Sequence, residues 1–116
     1  DEEMNLVTKR YLMTAGKPIG AVRTGLKSIG EELGDSVEIL GAATTGSGRY
    51  LIGDFVGADV VRNEITAQAT AAVHIDPKVD TIFEIGGQDS KYISIDDGVV
   101  VDFEMNKSCA AGTGSF

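Results

Sequence analysis

The residue types best suited to chemistry gather in Phe83-Glu84-Ile85-Gly86-Gly87-Gln88-Asp89-Ser90-Lys91, where an apolar run meets two glycines and then a second, alternating run. Paired glycines let backbone N–H groups come close to a ligand, and successive N–H groups make a nest for an anion. Glu84, Gln88 and Asp89 flank that turn, where acidic oxygens suit the water shell of a metal ion. The same spacing also fits a plain β-hairpin with a glycine turn, and spacing alone leaves both readings open. A second loop, Thr45-Gly46-Ser47-Gly48-Arg49, lacks the Gly-Lys-Ser/Thr ending of a Walker A loop and the third glycine of the dinucleotide fingerprint. By itself it reads as a tight strand-to-helix turn. Cys109 stands at the expected start of a helix, close to Lys107, a setting that stabilises a thiolate. A thiolate suits a metal or an iron–sulfur cluster, whereas a lone cysteine is also a small buried hydrophobe. His74 is the single histidine, expected on a polar helix face, and no Ser/His/Asp or zinc set can be built around it.

Composition narrows what these groups can serve. The chain has 116 residues, 18 acidic against 10 basic, for a formal net charge of −8. Such a balance argues against nucleic acid and against an anionic membrane surface, both of which need a basic face. No apolar run approaches the roughly 18–20 residues of a membrane span, and Asp1-Glu2-Glu3 does not open a secretory signal. One cysteine forbids an internal disulfide and fits a reducing cytoplasm. Glycine is frequent (15) and proline scarce (2), the composition of backbone-hugging loops inside a fold rather than of a linker.

The elements that must position these groups follow from periodicity. Residues 4–13 are rich in β-formers and read as a strand. After Gly16-Lys17-Pro18, the stripe Ile19, Val22, Leu26, Ile29, Leu33 predicts a helix of roughly 16 residues closed by Gly34. Gly20, Gly25 and Gly30 inside it suggest close packing on a sheet. Residues 37–44 read as a buried strand, 49–56 as a short helix ended by Gly57, and Asn63 as the cap of a further helix stopped by Asp76-Pro77. Strands are expected over 80–85, 91–95 and 99–105, with Asp97-Gly98 as a hairpin turn and a helix opening from Ser108. The order gives an α/β fold with a mixed sheet and a subdomain boundary at Pro77.

Several segments taken together resemble a known superfamily. Asn63-Glu64-Ile65-Thr66-Ala67 resembles the Asn-Glu-Pro-Thr-Ala segment of the heat-shock chaperone ATPases, and Glu84-Ile85-Gly86-Gly87 their second phosphate loop. Within the actin-like ATPases, which also include sugar and acetate kinases, one family matches further. Ile85 to Lys91, Asn106-Lys107-Ser108-Cys109-Ala110-Ala111-Gly112-Thr113-Gly114 and Thr45 to Arg49 look like the BadF/BadG/BcrA/BcrD-type ATPases. These are the activators of 2-hydroxyacyl-CoA dehydratases and benzoyl-CoA reductases. The resemblance covers roughly residues 37–116, with four motifs in order. It implies an actin-like (ribonuclease H-like) α/β fold, with 1–77 the end of one subdomain and 78–116 the start of the next. It further implies an oxygen-sensitive, cytoplasmic homodimer that binds ATP or ADP with Mg²⁺ and shares one 4Fe–4S cluster between subunits. ATP turnover would drive a low-potential electron into a dehydratase or reductase partner. By position, Gly86 and Gly87 would contact phosphate and Glu64 would help place the attacking water. Gln88, Asp89 and Glu84 would line the same cleft, and Cys109 would be a cluster ligand.

The sequence also departs from the pattern. Glu84 stands where the phosphate loop usually has Asp, one methylene shorter. The first phosphate loop expected before residue 1 is absent, and so is the base pocket expected after Phe116. A Cys₄ cluster takes four thiolates, and two copies of this chain supply two. The expectation is therefore a middle piece that by itself neither hydrolyses ATP nor holds a stable cluster. A kinase-like relative of the superfamily, or a non-enzymatic assembly module on the same fold, are the alternative readings.

Overall fold

Pro18 at the first helical position and a glycine past the last set the limits of the first helix. The computed structural model describes residues 1–86 and 89–106. It shows α1 at Pro18–Leu33, with Gly34 at φ +51° donating its N–H to the Gly30 carbonyl. A 3₁₀ turn, Gly34–Ser36, follows. The next elements are β1 (Ala43–Thr44), α2 (Arg49–Val56), β2 (Val60–Val61) and α3 (Glu64–Ile75). The chain then forms β3 (Thr81–Ile85), β4 (Ser90–Asp96) and β5 (Val99–Met105). It divides into two compact units, Asp1–Val61 and Arg62–Phe116.

In the first unit β1 and β2 pair in parallel, Ala43 opposite Val60, and α2 is the crossover between them. Gly53 lets α2 lie close: a Cβ there would stand 3.1 Å from both Thr44 Oγ1 and Val61 Cγ2. Gly57 at φ +65° ends α2 with its N–H on the Gly53 carbonyl. Of the three glycines inside α1, only Gly25 is closely approached, with the Leu12 side chain 3.3 Å from where its Cβ would be. Gly30 faces open space. The close packing on a sheet suggested for these glycines is thus contact with one extended segment, at one position.

That segment is the expected strand over 4–13, which is in no ladder among the described residues. It runs along α1 instead. Thr8 donates to the Glu32 carboxylate at 3.1 Å, Arg10 Nε donates to Ser28 Oγ at 2.9 Å, and Leu12 reaches Gly25. Hydrogen bonds from Arg10 and then Thr8 hold the Glu32 carboxyl below its usual range. Residues 37–44 likewise keep only Ala43–Thr44 in a ladder. Val37, Ile39 and Leu40 line an open cleft of about 850 Å³ with Glu3, Val7 and Leu33. β-Propensity measures fit to a pleated surface; strand formation also needs a neighbour to complete the ladder.

The second unit is an antiparallel sheet in the order β3-β4-β5, with α3 on one face. Ile65 and Ala69 of α3 are buried with Ile93 and Ile95 of the central strand, and Val73, Val79, Ile82 and Val100 pack around them. Ile93 is wholly buried, which contributes about 1.5–3 kcal/mol. Asp97 at φ +48° and Gly98 at φ +77° make the hairpin turn the Asp-Gly pair predicts.

Two glycine replacements separate backbone strain from helix propensity. Gly57→Ala meets no atom within 4 Å but must hold a left-handed conformation, so it should lower unfolding free energy by about 1 kcal/mol. Gly30→Ala, in open helical space, should raise it by up to about 1 kcal/mol. Urea unfolding of the two variants beside wild type measures both.

Candidate phosphate site at the turn between the third and fourth strands

The alternation of β4 places Lys91, Ile93 and Ile95 on one side of the sheet, and these face α3. Register brings Ile82 opposite Ile93 and Glu84 opposite Lys91. A glutamate and a lysine therefore occupy the last step of the core-facing row, where the sheet runs out into the turn. Lys91 Nζ donates to Glu84 Oε2 at 2.8 Å, with the two side chains 11% and 30% exposed. The hydrogen bond to Glu84 raises the Lys91 pKa above its ordinary 10.5 against the opposing effect of burial, and the charges of Glu84, Asp89 and Glu64 add to the rise. Three of the acidic residues singled out from sequence thus act on one ammonium.

Each is held there by local structure. Asn63 caps α3, its Oδ1 accepting from the N–H groups of Ile65 at 2.8 Å and Thr66 at 3.2 Å. This fixes Glu64 as the first residue of the helix, half-buried, where the helix dipole favours a carboxylate. Gly86 donates its N–H to the Asp89 carbonyl at 2.8 Å, closing the loop. A Cβ on Gly86 would stand 3.2 Å from that carbonyl and 3.3 Å from Glu84 Oε1, so only glycine fits without displacement. Asn106 locks the other side: its Oδ1 accepts from the Ser90 N–H at 2.8 Å, and its own N–H donates to the Ser90 carbonyl at 3.2 Å.

Glu64, Glu84, Gly86 and Asp89 are therefore brought to one end of the sheet. Gly87, Gln88 and Cys109, with the helix expected from Ser108, lie outside the described residues. The Gly86 amide is engaged inside the hairpin, so any phosphate-binding amide of the turn must come from the residues that follow it. Among the described residues no group of three His, Cys, Asp or Glu side chains forms a metal set. Lys91 is the residue that reading the motif for acids and glycines missed. Its signal was present: it is in phase with Ile93 and Ile95, which makes it a charge on a core-facing row. The other loop, Thr45 to Arg49, is a tight turn into α2, with Thr44 Oγ1 donating to the Arg49 carbonyl at 2.8 Å and the Arg49 guanidinium to the Gly46 carbonyl at 2.8 Å. His74 is exposed in α3, as expected.

The model of the BadF/BadG/BcrA/BcrD ATPase family matches residues 5–116. The chain belongs to that family. Among curated relatives, the activator of lactoyl-CoA dehydratase of Anaerotignum propionicum is 37% identical over 123 residues, covering 94% of this chain and 46% of the relative. Among solved structures, component A of the Acidaminococcus fermentans (R)-2-hydroxyglutaryl-CoA dehydratase matches with a TM-score of 0.67 at 32% identity, over 82% of this chain and 36% of that one. The activator of the 2-hydroxyisocaproyl-CoA dehydratase from Clostridium difficile, solved with bound ADPNP, matches with a TM-score of 0.68 at 34% identity, over 81% and 35%. The chain spans less than half the length of these proteins. It has their α/β, actin-like ATPase fold over the part they share. Among the described residues no helix is long and apolar enough to cross a membrane.

The Glu84–Lys91 pair makes a pH signature. A raised folded-state pKa on Lys91 means its contribution is fully present below the ordinary value of 10.5 and is lost as pH rises through the higher folded value. Unfolding free energy should therefore fall between pH 10 and 12 more steeply, by about 1 kcal/mol, in wild type than in Glu84→Gln. Urea titrations of both proteins across that range give the difference.

Proposed function

We propose that the protein carrying this chain is an ATP-dependent activator of a 2-hydroxyacyl-CoA dehydratase or related acyl-CoA reductase, in the cytoplasm, and that the turn after β3 is part of its nucleotide phosphate site. The support is the convergence at that turn: a glycine where a Cβ would crowd its neighbours, the N-terminus of α3 with Glu64, and a paired Glu84–Lys91, in a chain resembling an activator solved with ADPNP. Residues 1–77 and 78–116 would then belong to successive subdomains of the ribonuclease H-like type.

Phosphoryl transfer needs positioning and charge neutralisation more than covalent chemistry. Gly86, without a side chain, leaves room for a phosphate close to the backbone, and Gly87 would contact it as well. Glu64 is the residue to orient the attacking water, a role in which Gln88 would assist. Mg²⁺ keeps several waters and binds through one or two carboxylates plus the phosphates, so it needs no ready-made protein cage. Asp89 and Glu64 suit its water shell, while Glu84 is engaged by Lys91.

The same reading makes Cys109 a ligand of a 4Fe–4S cluster shared across a homodimer, from which an electron passes to the dehydratase. A cluster takes four thiolates and this chain has one, so the donor set is a property of the whole protein, and this chain alone is expected to be inactive. Anaerobic iron–sulfur reconstitution of the full-length protein should give about four irons per dimer, lost in Cys109→Ala. In the same preparation Glu64→Gln should lower ATP turnover about 100-fold or more. No iron together with a phosphorylated small-molecule product would move the assignment to a kinase of the superfamily.

A further inference from the structure

The chain must bring a polyanion to a turn bordered by carboxylates. Glu84, Asp89 and Glu64 all act on Lys91, so among the described residues three negative groups surround one ammonium there. Its overall charge of −8 supplies no attracting field either. Charge at the site has to be managed locally, and one ammonium is placed to do so.

We propose that Lys91 is a positioning residue of the phosphate site: by pairing with Glu84 it neutralises and holds in place a carboxylate that borders the glycine turn, and so lets phosphate approach. The proposal rests on the nucleotide reading above. Lys91 sits on the central strand of the sheet, one register step from wholly buried Ile93, so its backbone is fixed. Its side chain is 11% exposed, and its Nζ reaches Glu84 Oε2 at 2.8 Å, while Glu84 Oε1 stands 3.3 Å from where a Cβ on Gly86 would be. The carboxylate therefore borders the space that glycine keeps open. Unpaired, it would present a full negative charge, half-buried and only partly screened, beside an arriving phosphate. The neighbouring acids keep the ammonium charged despite its burial, so the pairing persists across the physiological range.

The test measures binding of ADPNP with Mg²⁺, and of uncharged adenosine, to the full-length protein by calorimetry. Lys91→Met should weaken ADPNP about 10-fold or more while adenosine binding changes less than about 2-fold. Adding Glu84→Gln to Lys91→Met should return ADPNP affinity to within about 3-fold of wild type. Where Lys91→Met does not fold, Lys91→Gln, which keeps a donor for Glu84 without a charge, carries the same comparison. Equal loss of adenosine and ADPNP, or no recovery in the double variant, would overturn the proposal and leave Lys91 a structural role. Wild-type protein that binds adenosine but shows no added affinity for ADPNP would overturn the phosphate reading itself, a result distinct from either.

Discussion

Everything at the candidate site depends on one packing contact, that of Ile65 and Ala69 on Ile93 and Ile95. It clamps α3 to the central strand. Because Asn63 caps the helix two residues before Ile65, the clamp that buries the isoleucine also sets where Glu64 stands. The same strand carries Lys91 two residues from Ile93, on the same face. An apolar contact with no chemistry of its own thus fixes, within two residues on each side, the carboxylate of the helix and the ammonium of the sheet. Side chains in a close-packed core sit in defined rotamers, so precision at the core becomes precision at the site.

The Glu84–Lys91 pair uses that rigidity in a way that an exposed pair could not. Arg10 and Glu32 in the first unit also pair, but Glu32 is 46% exposed there, and solvent and salt screen such contacts to little net effect. Lys91 is only 11% exposed. Losing Glu84 would strand a charge in a poorly hydrated place, so the two residues constrain each other more than either stabilises the fold. The pair specifies an arrangement, which is what a binding turn needs.

Helices and hairpins of this protein were legible in its sequence because their signals are local. Pro18 and Gly34 bound α1, Asn63 and Asp76 bound α3, and Asp97-Gly98 makes its turn, each through one or two residues' own backbone preferences. The extended segments over 4–13 and 37–42 were misread because strand formation is not local. Thr8, Arg10 and Leu12 alternate as a strand should, but their period of two is spent on Glu32, Ser28 and Gly25, which recur down a helix face. Acids and glycines of the site were visible as motif letters. Lys91 was not, because its meaning lies in register: only the pairing of Ile82 with Ile93 reveals that Glu84 and Lys91 share the core-facing row.

The hairpin also limits how the turn could serve as the proposed phosphate site. A glycine pair suggests two free amides, yet the first, Gly86, is committed to the Asp89 carbonyl. What Gly86 contributes is absence: no Cβ, and therefore room beside Glu84. In a chain of net charge −8, room alone would not hold a phosphate, since the nearest side chains repel it. In the proposed site, space from a glycine and a carboxylate held by a lysine are separate requirements, and each falls on a different residue. A plain hairpin would need only the Gly86–Asp89 bond; the half-buried ion pair beside it adds a constraint on where the Glu84 carboxylate stands.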